Sequence, residues 1–230
     1  MNEKNQKLGY KSLTECVMDY LKGQLMYGEI MPGEEINFRA LCETLGVSRT
    51  PVREALIQLM KDGFIEIASR KGFRIKRITL KEIEDLYGIG GLLESEIVKS
   101  ACEKMTDEDI KKLEHLYSNS ERALHDNNSL AYSERNFEFN KFLWSFCSNH
   151  IAIEFLNKVR ERLYFVKKRI DDPDWERMLL YDHREMIRLI KEKNKKALGE
   201  LLKNQHWSFS RFYPFILHFY KLTAEKAGPE

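Results

Sequence analysis

The chain has 230 residues, 43% of them hydrophobic, and its 38 Lys and Arg against 36 Asp and Glu leave a net charge of +2. That is enough apolar material for a packed core in one large domain or two small ones, while no apolar run approaches the roughly 20 residues that span a bilayer. The polar opening "MNEKNQKLGY" lacks the apolar stretch of a signal peptide, and Cys16, Cys42, Cys102 and Cys147 are scattered without a CxxC pair, as buried small hydrophobes of a reducing cytoplasm would be.

Residues 11–27 place Leu13, Val17, Tyr20, Leu21 and Leu25 at helical spacing and predict an amphipathic helix. Gly28, Pro32 and Gly33 make "GEIMPGEEI" a turn. A short helix follows from about Phe38 to Leu45, with Asn37 as cap and Gly46 as terminator. Ser48 is expected to cap a third helix that ends at Gly63, and Pro51 falls in its first turn, where no intrahelical N–H bond is lost. "FIEIA" and "FRIKRI" alternate with period two around "SRKG", as a β-hairpin does.

Beyond it, Thr79 and Glu82 have capping-box spacing. The rest reads as helix almost throughout, with breaks near Thr106, Asp126–Ser129, Ser148–Asn149, Asp171–Pro173 and Lys193–Asn194. The domain boundary is expected near Ile78. The fold class is therefore mainly α: a winged helix-turn-helix of three helices and a hairpin wing over residues 1–78, then an all-helical bundle over 79–230.

Charge is spread unevenly along this order. Residues 1–77 carry 13 basic and 10 acidic side chains, and the remainder carry 25 and 26. Five of the nine residues in "SRKGFRIKR" (69–77) are basic and none is acidic. A lone basic run is usually a solvated face. Here it follows "LGVSRTPVREAL" (45–56), where Arg49 and Arg53 lie four apart, about 40° around a helix axis. They share a face with Ser48 and Thr50 at the positively polarised helix end, which favours phosphate, and Arg can grip a guanine edge with two bonds. Ala55, Leu56, Leu59 and Met60 supply the opposite, packing face. Such a helix enters a major groove N-terminal residues first, with Arg70, Lys71 and Gly72 at a wing tip near the minor groove or backbone.

The stretch "YGEIMPGEEINFRALCETLGVSRTPVREALIQLMKDGFIEIASRKGFRI" resembles the winged helix-turn-helix of the GntR family of bacterial transcription regulators. The resemblance covers about residues 10–77 and implies a homodimer on a short palindromic operator in double-stranded DNA. It puts the DNA-contacting positions on Arg39, Ser48, Arg49, Thr50, Arg53 and Gly72, with Lys71 as a wing-tip contact.

The helical remainder is similar to the FCD effector-binding domain of the FadR branch. "TLKEIEDLYGIGGLLESEIVKSACEKMT" resembles its first helix, "NFEFNKFLWSFCSNHIAIEFL" the Asp-x-x-Phe-His segment, and "DHREMIRLIKEKNKKALGELLKNQH" the later helices that carry two histidines. The resemblance implies a small-molecule effector held over a divalent metal by one Asp and three His. The aspartate and first histidine fall on Asn136 and Asn140, while His183 and His206 keep the other two places. Carboxamides replace a carboxylate and an imidazole poorly at a transition metal, and two histidines alone make a weak site. No tightly held cofactor is expected, and a divalent metal would bind weakly; these four residues instead become a polar effector pocket.

Gly90 stands where many relatives have an effector-anchoring Arg, and the glycines of "YGIGGLLE" imply a larger cavity or close helix packing. Phe139, Phe142, Trp144, Phe146, Tyr164 and Phe165 would line an apolar pocket or serve as plain core. The resulting expectation is a cytoplasmic, effector-responsive repressor dimer that is neither an enzyme nor a membrane protein. The alternatives are an enzyme with a degenerate metal site and a constitutive DNA-binding dimer without an effector.

Overall fold

A computed structural model describes residues 11–26, 29–68, 72–163 and 172–220. It divides into two compact units, Met1–Ile78 and Thr79–Glu230. In the first, α1 (Leu13–Met26) is followed by β1 (Glu35–Ile36), α2 (Phe38–Leu45), α3 (Arg49–Lys61), β2 (Ile65–Ala68) and β3 (Gly72–Ile75). Val17, Leu21 and Leu25, one turn apart on α1, are buried and pack with Val52, Ala55, Leu56 and Leu59 of α3. Leu13 stays largely exposed.

Local signals set α2. Asn37 accepts a hydrogen bond from the Ala40 amide at 3.0 Å, and Gly46 closes the helix in the left-handed region at φ 63°. The hairpin pairs Ile65 with Ile75 and Ala68 with Gly72, and Glu66 faces Arg74 across it in an ion pair of 2.6 Å. One strand was not expected. The segment read as a plain turn contains β1, which pairs antiparallel with β3 and makes the sheet order β1-β3-β2. Gly33, at φ 94°, turns the chain onto that edge, and its amide donates to the Ile75 carbonyl at 2.9 Å.

The second unit is helical throughout its described residues: α4 (Leu80–Lys104), α5 (Asp107–His125), α6 (Ser129–Trp144), α7 (His150–Leu163), α8 (Pro173–Lys191), α9 (Lys195–Leu201) and α10 (Phe209–Tyr220). Thr79 and Glu82 form the expected capping box at the head of α4, and Thr106 with Asp109 forms another on α5. After α9 the chain widens into a π-helical turn, Leu202–His206, where the Trp207 amide donates to the Leu202 carbonyl at 3.0 Å. The break before α10 was not read from the sequence. No helix among the described residues is long and apolar enough to cross a membrane. The cysteines depart from expectation at Cys16, which is exposed, and at Cys42, which is half-buried; Cys102 and Cys147 are buried.

The long helix α4 packs against α6, α7, α9, α10 and the π turn. A side chain on Gly90 would bring Cβ within 2.3 Å of the Trp207 ring, and on Gly91 within 3.0 Å of Trp207 Cβ. These glycines therefore seat a tryptophan, and close packing is the reading of the two that holds. Gly88 is exposed with nothing within 4 Å of an added Cβ.

The contrast yields a paired expectation in chemical denaturation. Gly90→Ala should destabilise the helical unit by about 1–3 kcal/mol through overpacking. Gly88→Ala should stabilise it by about 0.4–1 kcal/mol through backbone entropy and helix propensity. Equal effects would mean that Trp207 does not occupy the Gly90 notch.

Candidate DNA-reading helix and buried polar site

Helix α3 has two faces because its apolar residues recur at helical spacing while its basic ones fall between them. Val52, Ala55, Leu56 and Leu59 are buried, and Ser48, Arg49, Thr50 and Arg53 are all exposed. Among the described residues neither Arg49 nor Arg53 forms a salt bridge, whereas Arg39 on α2 is tied to Glu43 at 2.8 Å. Ser48 corrects one expectation. Its backbone occupies the N-cap position, yet its hydroxyl makes no cap bond. Asn37, Thr79, Thr106, Asn128, Asp172 and Asn194 each accept a bond from the first turn of their own helix. The first-turn amides of α3 thus lack the side-chain acceptor that those helices have. Gly72 is exposed at the start of β3, opposite Ala68; Lys71 and Arg70 lie outside the described residues.

In the helical unit Asn136, Asn140, His183 and His206 are all buried. Asn136, Phe139, Asn140 and Leu143 fall on one face of α6, the spacing at which side chains on successive turns meet. The Asn140 amide donates to the Asn136 carbonyl at 3.0 Å and to its side-chain oxygen at 3.5 Å. Phe139 stacks on His183 of α8 with ring centroids 4.2 Å apart, and His183 lies 5.4 Å from His206 of the π turn.

Several buried polar atoms here have no hydrogen-bond partner: Asn140 Oδ1, both ring nitrogens of His183, and His206 Nδ1. Ser95 Oγ, on the face of α4 that meets Gly199, is another. Burial, and then His206 and Arg160 nearby, hold His183 well below the usual histidine pKa. Among the described residues no group of three or more His, Cys, Asp or Glu side chains is arranged to hold a metal ion.

Charged residues that the sequence reading passed over frame this site. Asp182, fully buried, receives the Arg211 Nη1 donor on both carboxylate oxygens at 2.9 and 2.7 Å, and Arg211 also donates to the Gln205 carbonyl at 3.1 Å. His206 Nδ1 stands 3.4 Å from Asp182 Oδ2 without forming a hydrogen bond. Glu94, also buried, accepts from the indole N–H of Trp144 at 2.8 Å and of Trp207 at 2.5 Å. Arg160 lies over the Trp144 ring, 4.0 Å from Glu94. The signal that finds Glu94 is its place on a stripe with Tyr87, Gly90, Gly91, Ile97 and Val98, where an acid is out of pattern. Phe142 and Phe146 pack on each other, with Lys112 over Phe142. Tyr164 and Phe165 lie outside the described residues.

Residues 13–75 match the family of bacterial regulatory proteins called gntR, and residues 85–206 match the FCD domain. The chain is 31% identical over 179 residues to the uncharacterized HTH-type transcriptional regulator YdhC of Bacillus subtilis, covering 77% of this chain and 80% of that protein. It is 25% identical to the HTH-type transcriptional repressor GlaR of Escherichia coli, over 65% of this chain and 68% of that one. The solved structure of Escherichia coli McbR/YncC shares the fold, with a TM-score of 0.71 at 23% identity over 92% of this chain and 100% of that one. These matched domains and relatives are transcription regulators, which removes the enzyme reading. The chain belongs to the GntR family and is a transcription regulator with a winged helix-turn-helix followed by an FCD domain.

Proposed function

We propose that this regulator is a cytoplasmic repressor that binds a palindromic operator as a homodimer, and that a small molecule bound among Asn136, Asn140, His183 and His206 changes its operator affinity. The observation that carries the effector role is the set of buried, unpartnered atoms on Asn140, His183 and His206. Each such group costs about 1–3 kcal/mol if nothing satisfies it, a loss that a bound ligand would recover. The repressor sign follows GlaR and RspR of Escherichia coli, relatives whose names state it. A thermal-shift screen of charged and uncharged metabolites tests the effector role, since a ligand that binds only the folded chain raises its melting temperature.

On the DNA side, Arg49 and Arg53 are the base-reading candidates, with Ser48, Thr50, Arg39 and Gly72 on the phosphates and Lys71 at the wing tip. Exposed arginines with no acidic partner cost the free protein little and are ready for an anionic one. Replacing Arg49 or Arg53 by Ala should weaken specific binding by about 1–3 kcal/mol. Lys71→Ala should instead lower affinity across all sequences and flatten its salt dependence. Wild-type affinity in an R49A/R53A double variant, measured by fluorescence anisotropy, would remove α3 from the interface.

Dimerisation rests on geometry. One helix-turn-helix reads a half-site, and a two-fold operator asks for a two-fold protein. Light scattering at micromolar concentration without DNA should return twice the chain mass of 27.3 kDa, and a monomer mass would count against the dimer.

The donor set does not fit a transition metal. Two carboxamides are weak ligands, His183 is stacked on Phe139, and the one acid beside the histidines, Asp182 at 3.4 Å from His206 Nδ1, is already held by Arg211. Elemental analysis after dialysis should find no stoichiometric metal in the unmodified protein. Asn136→Asp combined with Asn140→His should create a zinc or nickel site if the four positions converge; no gain in that variant would mean that they do not.

A further inference from the structure

The buried charges of the helical unit are met by the protein itself. Asp182 has Arg211 on both oxygens, and Glu94 has two indole N–H donors with Arg160 close by. What lacks a partner is of another kind. Asn140 Oδ1 is a neutral acceptor. An uncharged His183 imidazole supplies one donor and one acceptor, and both of its nitrogens are unpartnered. Both side chains are about 1% exposed, so bulk solvent does not reach them.

A carboxylate or phosphate entering here would lose its hydration, and the two cations nearest it, Arg160 and Arg211, already stand beside the buried carboxylates Glu94 and Asp182. Either arginine would have to turn from its own carboxylate to compensate the ligand, leaving a second buried anion. An ammonium would face the same difficulty with the sign reversed, because the Asp182 carboxylate is already paired. A neutral ligand with both a donor and an acceptor matches the unpartnered atoms without disturbing either ion pair.

We propose that the effector is an uncharged molecule bearing a hydrogen-bond donor and acceptor, of the class of amides, lactams and ureide heterocycles, with Asn140 and His183 as its specificity-determining contacts. This rests on the effector role proposed above. Asn140 Oδ1 receives the ligand's N–H, and His183 donates to its carbonyl. Phe139, stacked on His183, holds that ring in place.

The test uses the full chain and matched pairs that differ in charge: nicotinamide and nicotinate, benzamide and benzoate, uracil and orotate. Binding is read by ligand-observed NMR and thermal shift, with and without added zinc. The neutral member of at least one pair should bind at least about tenfold tighter than its acid. That preference should disappear in Asn140→Leu and in His183→Leu. His183→Leu removes two unpartnered buried nitrogens, and Asn140→Leu removes the unpartnered Oδ1 together with the local Nδ2 bonds to Asn136, so both are expected to remain folded; a second variant, Asn140→Asp, should repel the acids further. Tighter binding of the acids, with or without zinc, would overturn the neutral class while leaving the effector role standing. If no member binds the wild type better than Asn140→Leu, the assigned contacts are overturned. The wider metabolite screen then decides separately whether the domain has any effector at all.

Discussion

The Glu94 carboxylate is the pin of the helical unit. A buried acid is costly unless its oxygens are occupied, and here two tryptophans from distant parts of the chain occupy them. Trp144 ends α6 and Trp207 ends the π turn, so one carboxylate fixes the ends of two elements against α4. Trp207 directly follows His206, and Gly90 and Gly91 leave room for its ring. The position of His206 in the buried polar site is therefore set largely from α4. The extra residue of the π turn belongs to the same arrangement, since π turns recur where a functional side chain must be re-aimed.

The two candidate sites keep unpaired groups at very different cost. On α3 the unpaired arginines are solvated, so readiness for DNA takes little from folding. In the helical unit the unpartnered atoms are buried, and readiness for a ligand subtracts directly from stability. The apolar core of the same unit, with Phe139, Leu143, Leu156 and Ile190 fully buried, offsets that loss.

Where a rule is local, the sequence was legible. Asn37 and Gly46 bracket α2, Thr79 and Thr106 open their helices with reciprocal capping bonds, and alternation marks the hairpin. β1 escaped because two residues carry no periodicity and owe their pairing to β3, far along the chain. The end of the π turn escaped because nothing at Trp207–Ser208 breaks a helix by propensity. Ser48 looked like a cap by composition, and only the three-dimensional placement of its hydroxyl separates it from the caps that bond. The glycines of α4 permitted either a cavity or close packing, and Trp207, more than a hundred residues later, decides between them. Among the site residues, the buried Asn and His positions came from family resemblance. Asp182, Arg211 and Arg160 became visible only once their helices were in place, because ion pairing between helices has no short-range signature.

The tryptophans have a further use. All three, Trp144, Trp175 and Trp207, belong to the helical unit, and the winged head has none. Trp207 adjoins His206, Trp144 shares its carboxylate, and Trp175 stacks on Phe212 of α10. Indole emission responds to the polarity and hydrogen bonding around the ring. The unlabelled protein thus carries a built-in optical reporter of the buried site, one to which the DNA-reading domain contributes no tryptophan signal.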